Sequence, residues 1–293
     1  MTMRGLTGVT RVAMTDPLAV NLGASATQRL PLMAGLSGHA ATLAAIVVSV
    51  LLASAAAGAY NQIAEADIDA RMLRTRTRPF ANGTFRPGLV WYVAVGALLA
   101  VAIALSVAAA NWIAATFTFL GAFTYGVVYT IWLKRRTALN IVVGGFAGSF
   151  AVLAGAAAAA PTLPAEVLLF ALAMFFWTPP HFWALAIARR DEYAKVGIPM
   201  LPVTHGIAYT RLQILLYTIL MVLVSLLPYL TGMCGFIYLG AALLLNARFV
   251  YLAIALQSGT RPELPMLTFK YSITYLMALF AALIVDHFFL FKV

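Results

Sequence analysis

Residues 40–69 read AATLAAIVVSVLLASAAAGAYNQIAEADID, and the change of character at Asn61 decides what kind of protein this is. Up to Tyr60 there is no charge and hardly a polar group, and a run of about 20 such residues is long enough to cross the hydrocarbon core of a bilayer as a helix. Directly after it come Asn61, Glu65, Asp67 and Asp69, although the chain contains only nine Asp and Glu in total. A spanning helix therefore opens onto a concentrated acidic patch.

Working outward, seven further apolar runs are predicted near 89–110, 112–133, 139–160, 165–188, 211–230, 235–256 and 269–290. The composition agrees, with 63% hydrophobic and 10% charged residues and a mean hydropathy of +0.94 over 293 residues; a soluble domain is about a quarter charged. No run alternates as a barrel strand would, and small residues such as Gly58, Gly144, Gly145, Gly148 and Gly155 let helices approach closely in lipid. The expected fold class is all-α, a polytopic membrane bundle of eight clear helices.

The net charge of +10 does not indicate nucleic acid, because the cations sit in alternate loops. Arg71, Arg74, Arg76, Arg78 and Arg86 follow the first helix, Lys134, Arg135 and Arg136 the third, and Arg189, Arg190 and Lys195 the fifth. Arg261 and Lys270 flank the last hairpin, whereas the connections around 110–112, 160–165 and 230–235 carry no Lys or Arg. The positive-inside rule then makes the basic loops cytoplasmic. That places a bacterial protein in the inner membrane, and no Arg- and Ser-rich mitochondrial transit segment is evident. Residues 1–38 form an atypical N-terminal segment before a single domain over 39–293. Arg4 and Arg11 would be stranded outside unless something within 12–38 also crosses, so a divergent ninth helix is expected there. The single Cys234 cannot form an internal disulfide.

If the first helix continues past residue 60, Asn61, Glu65 and Asp69 fall at i, i+4 and i+8 on one face and Asp67 points elsewhere. Oxygen ligands on one face suit a hard cation, and Mg²⁺ commonly takes one or two carboxylates while substrate phosphates complete its shell. Arg71, Arg74, Arg76 and Arg78 supply the permanent charge and forked donors that match phosphate oxygens. A solvated, topology-setting loop would account for the arginines alone, but carboxylates at membrane depth are costly and usually functional.

The stretch Asn61-Gln-Ile-Ala-Glu-Ala-Asp-Ile-Asp69, with Met72, Arg74-Thr75 and Arg78-Pro79, resembles the first acidic motif of the UbiA superfamily of intramembrane prenyltransferases, and within it the haem O synthase branch. Trp177-Thr-Pro-Pro-His-Phe-Trp183, then Arg190-Asp191-Glu192-Tyr193 and Gly197-Ile-Pro-Met-Leu-Pro202, is similar to the same branch. Other branches carry a second Asp-x3-Asp here; in this chain Asp191 is followed four positions later by Lys195. Trp132-Leu-Lys-Arg-Arg-Thr137, Asn140-Ile-Val-Val-Gly-Gly145 and Phe269-Lys-Tyr-Ser-Ile273 extend the likeness to the C-terminus.

The resemblance implies transfer of a farnesyl group from farnesyl diphosphate to a vinyl group of protohaem (haem B), giving haem O and diphosphate, with Mg²⁺ as cofactor and the bilayer, farnesyl diphosphate and protohaem as partners. A haem-delivering or haem-modifying protein is a further expected partner. Asn61, Glu65 and Asp69 are the expected metal ligands, assisted by Asp67 and by Asp191 or Glu192, and Arg74, Arg78, Arg190 and Lys195 the diphosphate contacts. His181, Phe182, Trp183 and Arg248 are assigned to the haem and prenyl pocket, with iron ligation and a propionate contact both open to His181. The adjacent Pro179 and Pro180 are expected to interrupt the fifth helix. Two alternatives remain: a prenyltransferase acting on an aromatic quinone precursor, or a transporter or haem carrier whose acidic loop binds a transported cation.

Overall fold

The computed structural model describes residues 26–160, 163 and 166–289, with side chains from Ala40 onward. Eight long helices carry the chain. They are α1 (Ala26–Ala64, apolar and of spanning character over Ala40–Ala64), α2 (Leu89–Ala109), α3 (Trp112–Leu133), α4 (Asn140–Ala159), α5 (Val167–Ala188), α6 (Gly206–Leu230), α7 (Phe236–Ser258) and α8 (Leu264–Phe288). No strand occurs among the described residues. The sixth and eighth helices begin earlier than hydropathy indicated, since polar starts such as Gly206-Ile-Ala-Tyr-Thr210 are satisfied by their own backbone. The ninth span expected within 12–38 falls largely outside the described residues.

Residues 41–293 form one compact unit, apolar on its outer surface as well as in its core. Leu51, Leu89, Val90, Leu244 and Met277 stand exposed on the outside, while Ser49, Thr118, Asn140, Ser149, Thr218, Ser225, Asn246 and Ser272 are buried. Lipid is as apolar as leucine, so helices gain little by hiding leucine. They gain from close packing and interhelical hydrogen bonds. Ser49 Oγ donates to the Ala102 carbonyl at 2.7 Å and Ser149 Oγ to the Ala171 carbonyl at 2.8 Å. Between α6, α7 and α8, Tyr275 donates to Asn246 Oδ1 at 2.8 Å and Asn246 Nδ2 to Ser225 Oγ at 2.9 Å. The outward apolar face and the length of the eight spans make this a multi-pass membrane protein.

α5 lies at the centre of the arrangement, packed against α4, α6 and α8. Contrary to the sequence expectation, Pro179 and Pro180 do not break it. Side chains on either side tie the segment in place: Thr178 Oγ1 donates to the Met174 carbonyl at 3.0 Å, and Trp177 Nε1 to the Ser272 carbonyl of α8 at 2.8 Å. Neighbouring helices and Thr side chains allow proline within a membrane helix in this way.

At the opposite end of the bundle from the basic loops, Asp286 of α8 accepts from the backbone N–H of Gly235 at 2.6 Å and of Tyr238 at 3.0 Å. This buried carboxylate is the N-terminal cap of α7, where exposed N–H groups and the helix dipole favour a negative charge.

Candidate active site

Successive helices alternate in direction, so the ends of α1, α3, α5 and α7 and the starts of α2, α4, α6 and α8 meet on one side. All the acidic motif residues are there. α1 stops at Ala64, Glu65 takes φ −113° and ψ 15°, and a short helix Ala66–Asp69 follows. The i to i+4 bonds nevertheless persist, from Glu65 N to Asn61 O at 2.9 Å and from Asp69 N to Glu65 O at 2.8 Å. Asn61, Glu65 and Asp69 therefore share one buried face, each no more than 4% exposed.

Each of the three has a specific neighbour. Asn61 Nδ2 donates to Thr130 Oγ1 at 3.0 Å, Lys134 Nζ to Glu65 Oε2 at 2.5 Å, and Arg78 to Asp69 Oδ2 at 2.7 Å. Two of these partners come from α3, whose last part, Thr124–Leu133, is wound as a π-helix. The wider turn is visible in the bonds from Lys134 N to Tyr129 O at 2.9 Å and from Thr130 Oγ1 to Tyr125 O at 2.8 Å, both five residues back. Such π segments recur at functional sites because they re-aim side chains. Here the segment delivers Thr130 and Lys134 to Asn61 and Glu65.

The second oxygen of Glu65, Oε1, is buried with no partner among the described residues. A buried carboxylate oxygen without a donor is unfavourable, and among the described residues none donates to Asn61 Oδ1. A hard cation fits this acceptor set. No group of three or more His, Cys, Asp or Glu converges among the described residues, so protein ligands alone do not complete a cage. Mg²⁺ commonly takes few protein ligands and relies on phosphate oxygens and water for the rest of its shell.

Asp67 lies outside this pocket. Its side chain is more than half exposed and pairs with Arg135 at 2.9 Å, with Arg71 at 4.0 Å. Slight burial pushes its carboxyl up, but the hydrogen bond and charge of Arg135 outweigh this and hold it below the usual carboxylate range. Arg74 is exposed in the same loop.

In the second loop, Tyr193 is buried. Burial raises its phenol; the charge of Arg74 opposes the rise, and those of Glu192 and Glu65 add to it. Asp191 points away, its side chain 83% exposed and 3.6 Å from Arg190. Its neighbour Glu192 is mostly buried, bonded to Arg189 at 2.7 Å, with its Oε2 unpartnered. Arg190 Nε is bound to the Pro202 carbonyl at 3.1 Å, and Lys195 is exposed with no ion pair among the described residues.

His181 is buried between Trp177 and Phe269, with centroids at 4.3 and 4.6 Å, and its Nδ1 meets Ser272 Oγ at 2.6 Å. Phe182 meets its edge at 5.0 Å and is part exposed, whereas Trp183 is a core residue packed on Tyr217 at 5.2 Å. Arg248 does not join them: it lies over Tyr271 in a groove between α7 and α8. Lys134, Thr130, Tyr193 and the packing of Tyr129 under Lys134 were not picked out from the sequence. Lys134 is one of three consecutive cations, and only folding distinguishes it.

Membrane-ward of Asn61, a cavity of about 420 Å³ is enclosed by Ala57 and Gly58 of α1, Thr118, Gly121 and Tyr125 of α3, and Gly148 of α4, among others. Its lining is mostly apolar, with Ser54, Thr118 and Tyr125 as polar members, and its volume falls in the range of roughly 300–1,000 Å³ usual for ligand sites. Tyr125 stacks on Tyr129 at 5.7 Å, and Lys134 lies over that ring at 5.6 Å. A continuous wall thus runs from an apolar slot to the charged pocket.

Residues 22–284 match the UbiA prenyltransferase family. Among named proteins, a protoheme IX farnesyltransferase of Methylococcus capsulatus is 50% identical over 236 residues, covering 80% of this chain and 79% of its own. Protoheme IX farnesyltransferase 2 of Paramagnetospirillum magneticum is 49% identical over 276 residues, covering 94% and 93%. Two solved structures share the fold. One is a digeranylgeranylglyceryl phosphate synthase, with TM-score 0.69 and 19% identity over 85% of this chain and 91% of the other. The second is a UbiA homologue from Aeropyrum pernix, with TM-score 0.64 and 24% identity over 85% and 90%. A UbiA homologue from Archaeoglobus fulgidus bound to GPP and Mg²⁺ aligns with TM-score 0.52 and 16% identity over 87% and 98%.

Proposed function

The chain belongs to the UbiA prenyltransferase family, and on that footing we propose that it transfers the farnesyl group of farnesyl diphosphate to a vinyl group of protohaem, producing haem O and diphosphate. The observation that carries the chemical reading is the buried Glu65, one oxygen on Lys134 and the other unpartnered among the described residues, on the helix whose preceding turns line an apolar slot at Ala57 and Gly58. An isoprenoid chain suits the slot, and the diphosphate suits the cations at its mouth.

A divalent cation, Mg²⁺ in this reading, neutralises charge on the diphosphate when bound. Glu65 and Asp69 would hold it, with Asn61 alongside and Glu192 rather than Asp191 contributing from the second loop. Thr130 orients the Asn61 amide, and Arg78 fixes Asp69. Lys134 and Arg74 are placed to take up negative charge on the leaving group, and such preorganised charge is often the largest catalytic contribution.

As the C1–O bond breaks, diphosphate departs with the electron pair and the allylic carbon is attacked by the haem vinyl group. Water then adds to the resulting cation and a proton is lost, leaving a hydroxyl. Excluding water until that point is the work of the apolar walls. His181, held by Ser272 and sandwiched by aromatic rings, is the haem-side residue of this reading. The basic loops support a pocket that faces the cytoplasm, from a bacterial inner membrane in this reading, where a haem-delivering or haem-modifying partner would meet it.

The reading is tested in membranes supplied with protohaem, farnesyl diphosphate and Mg²⁺, with haem O identified by chromatography and mass. Wild-type product, lost in Glu65→Gln and Asp69→Asn, is expected. Product undiminished in both variants overturns the metal-site assignment, and prenylation of an aromatic acid in place of protohaem overturns the acceptor.

A further inference from the structure

We propose that the outward groove between α7 and α8 binds an anionic phospholipid of the leaflet on the acidic-pocket side, its phosphate held by Arg248 and Lys270. The groove measures about 560 Å³ and is lined by Leu244, Leu245 and Leu267 together with Arg248, Lys270 and Tyr271. It is distinct from the catalytic pocket: α8 turns Phe269 and Ser272 towards His181 of α5, and Lys270 towards this groove.

Both cations belong to spanning segments, and neither has a carboxylate within 4.0 Å among the described residues. Lys270 is six residues into α8, about 9 Å from its start, and Arg248 ten residues before the end of α7, about 15 Å from it, at 1.5 Å per residue. Lys270 can lift its ammonium to the interface. Arg248 starts deeper, where an unpaired charge is costly.

The guanidinium is nevertheless held in place. Its carbon lies 5.1 Å over the Tyr271 ring, and that ring is fixed by a 2.8 Å hydrogen bond from its hydroxyl to the Leu245 carbonyl and by the edge of Phe249 at 5.7 Å. A fixed cation on a lipid-facing surface, a second cation nearer the interface and a leucine floor between them complement a ligand with a phosphate head and an acyl chain. Basic pockets between membrane helices bind anionic lipid headgroups in this way. Inorganic phosphate would satisfy the cations but leave the leucines without a partner.

Native mass spectrometry of the full-length protein in detergent tests this, with phosphatidylglycerol titrated against phosphatidylethanolamine of the same acyl chains. Wild type is expected to hold phosphatidylglycerol preferentially, with excess inorganic phosphate failing to displace it. Each cation removed should weaken that adduct about fivefold, and Arg248→Gln with Lys270→Gln about 25-fold. Equal binding of the two lipids by wild type overturns the proposal, a result that needs no variant to fold. It is equally overturned if the double variant binds phosphatidylglycerol as wild type does, if inorganic phosphate competes fully, or if the double variant loses bound haem while keeping the lipid.

Discussion

Replacing Lys134 by Met isolates the contact on which the acidic pocket depends. The ammonium lies 2.5 Å from Glu65 Oε2, and the two side chains are 14% and 2% exposed. Removing one partner of a buried ion pair costs about 3–5 kcal/mol, because the remaining charge is left without compensation. Lys134 retains some contact with solvent, so the lower end, about 3 kcal/mol, applies. At about 2 °C per kcal/mol for a chain of this size, the melting midpoint in detergent should fall by about 6 °C. Removing both charges, in Lys134→Met with Glu65→Gln, should recover most of that loss, leaving a deficit of about 2 °C. Turnover should drop about 100-fold, as when one preorganised donor is removed, whereas Arg135→Met, one residue on and bonded to exposed Asp67 and the Ala64 carbonyl, should leave turnover near wild type. A Lys134→Met midpoint within about 1 °C of wild type, or a double variant no more stable than the single, would refute the buried-pair reasoning.

Three other perturbations read the structure at separate points. Asp286→Ala removes the cap of α7 and should cost about 1–2 kcal/mol, seen as a lower midpoint with KM for farnesyl diphosphate unchanged. A Cβ on Gly144 would come within 2.9 Å of Tyr129 Cδ2; Gly144→Ala should displace that ring from beneath Lys134 and reduce turnover more than stability, measured as kcat beside the midpoint. Cys234 is buried, and burial first and the Asp286 charge second push its thiol up to about 11. It is therefore protonated at pH 8 in the folded protein, and maleimide labelling should stay negligible until denaturant is added.

The eight spans and the clustering of carboxylates at the end of the first were legible in the chain, because both are local signals. Twenty apolar residues in a row have few alternatives to a membrane helix, and i, i+4 spacing reports a shared face even though Glu65 departs from ideal helix geometry. The interruption expected at Pro179 and Pro180 was misjudged for the complementary reason: proline's local penalty is legible, but the neighbours that relieve it are not.

The partner assignments depended on contacts between residues far apart in the chain. Lys134 meets Glu65 across 69 positions, and its neighbours Arg135 and Arg136 have the same charge and the same flanking sequence. What selects it is the π-helical winding of Thr124–Leu133, which rotates one of three cations inward and brings Thr130 to Asn61. Nothing in the residue pattern of that stretch distinguishes a wide turn from an ordinary one. That Glu192 lies inward and Asp191 outward, and that Arg248 lines an outward groove between α7 and α8, likewise depends on packing and not on the residue pattern. Composition and periodicity determine that eight apolar helices of spanning length occur among the described residues and that acid gathers at the end of the first of them. Which charged groups face each other there is decided only when the helices pack, because exposure of a side chain is a property of its neighbours.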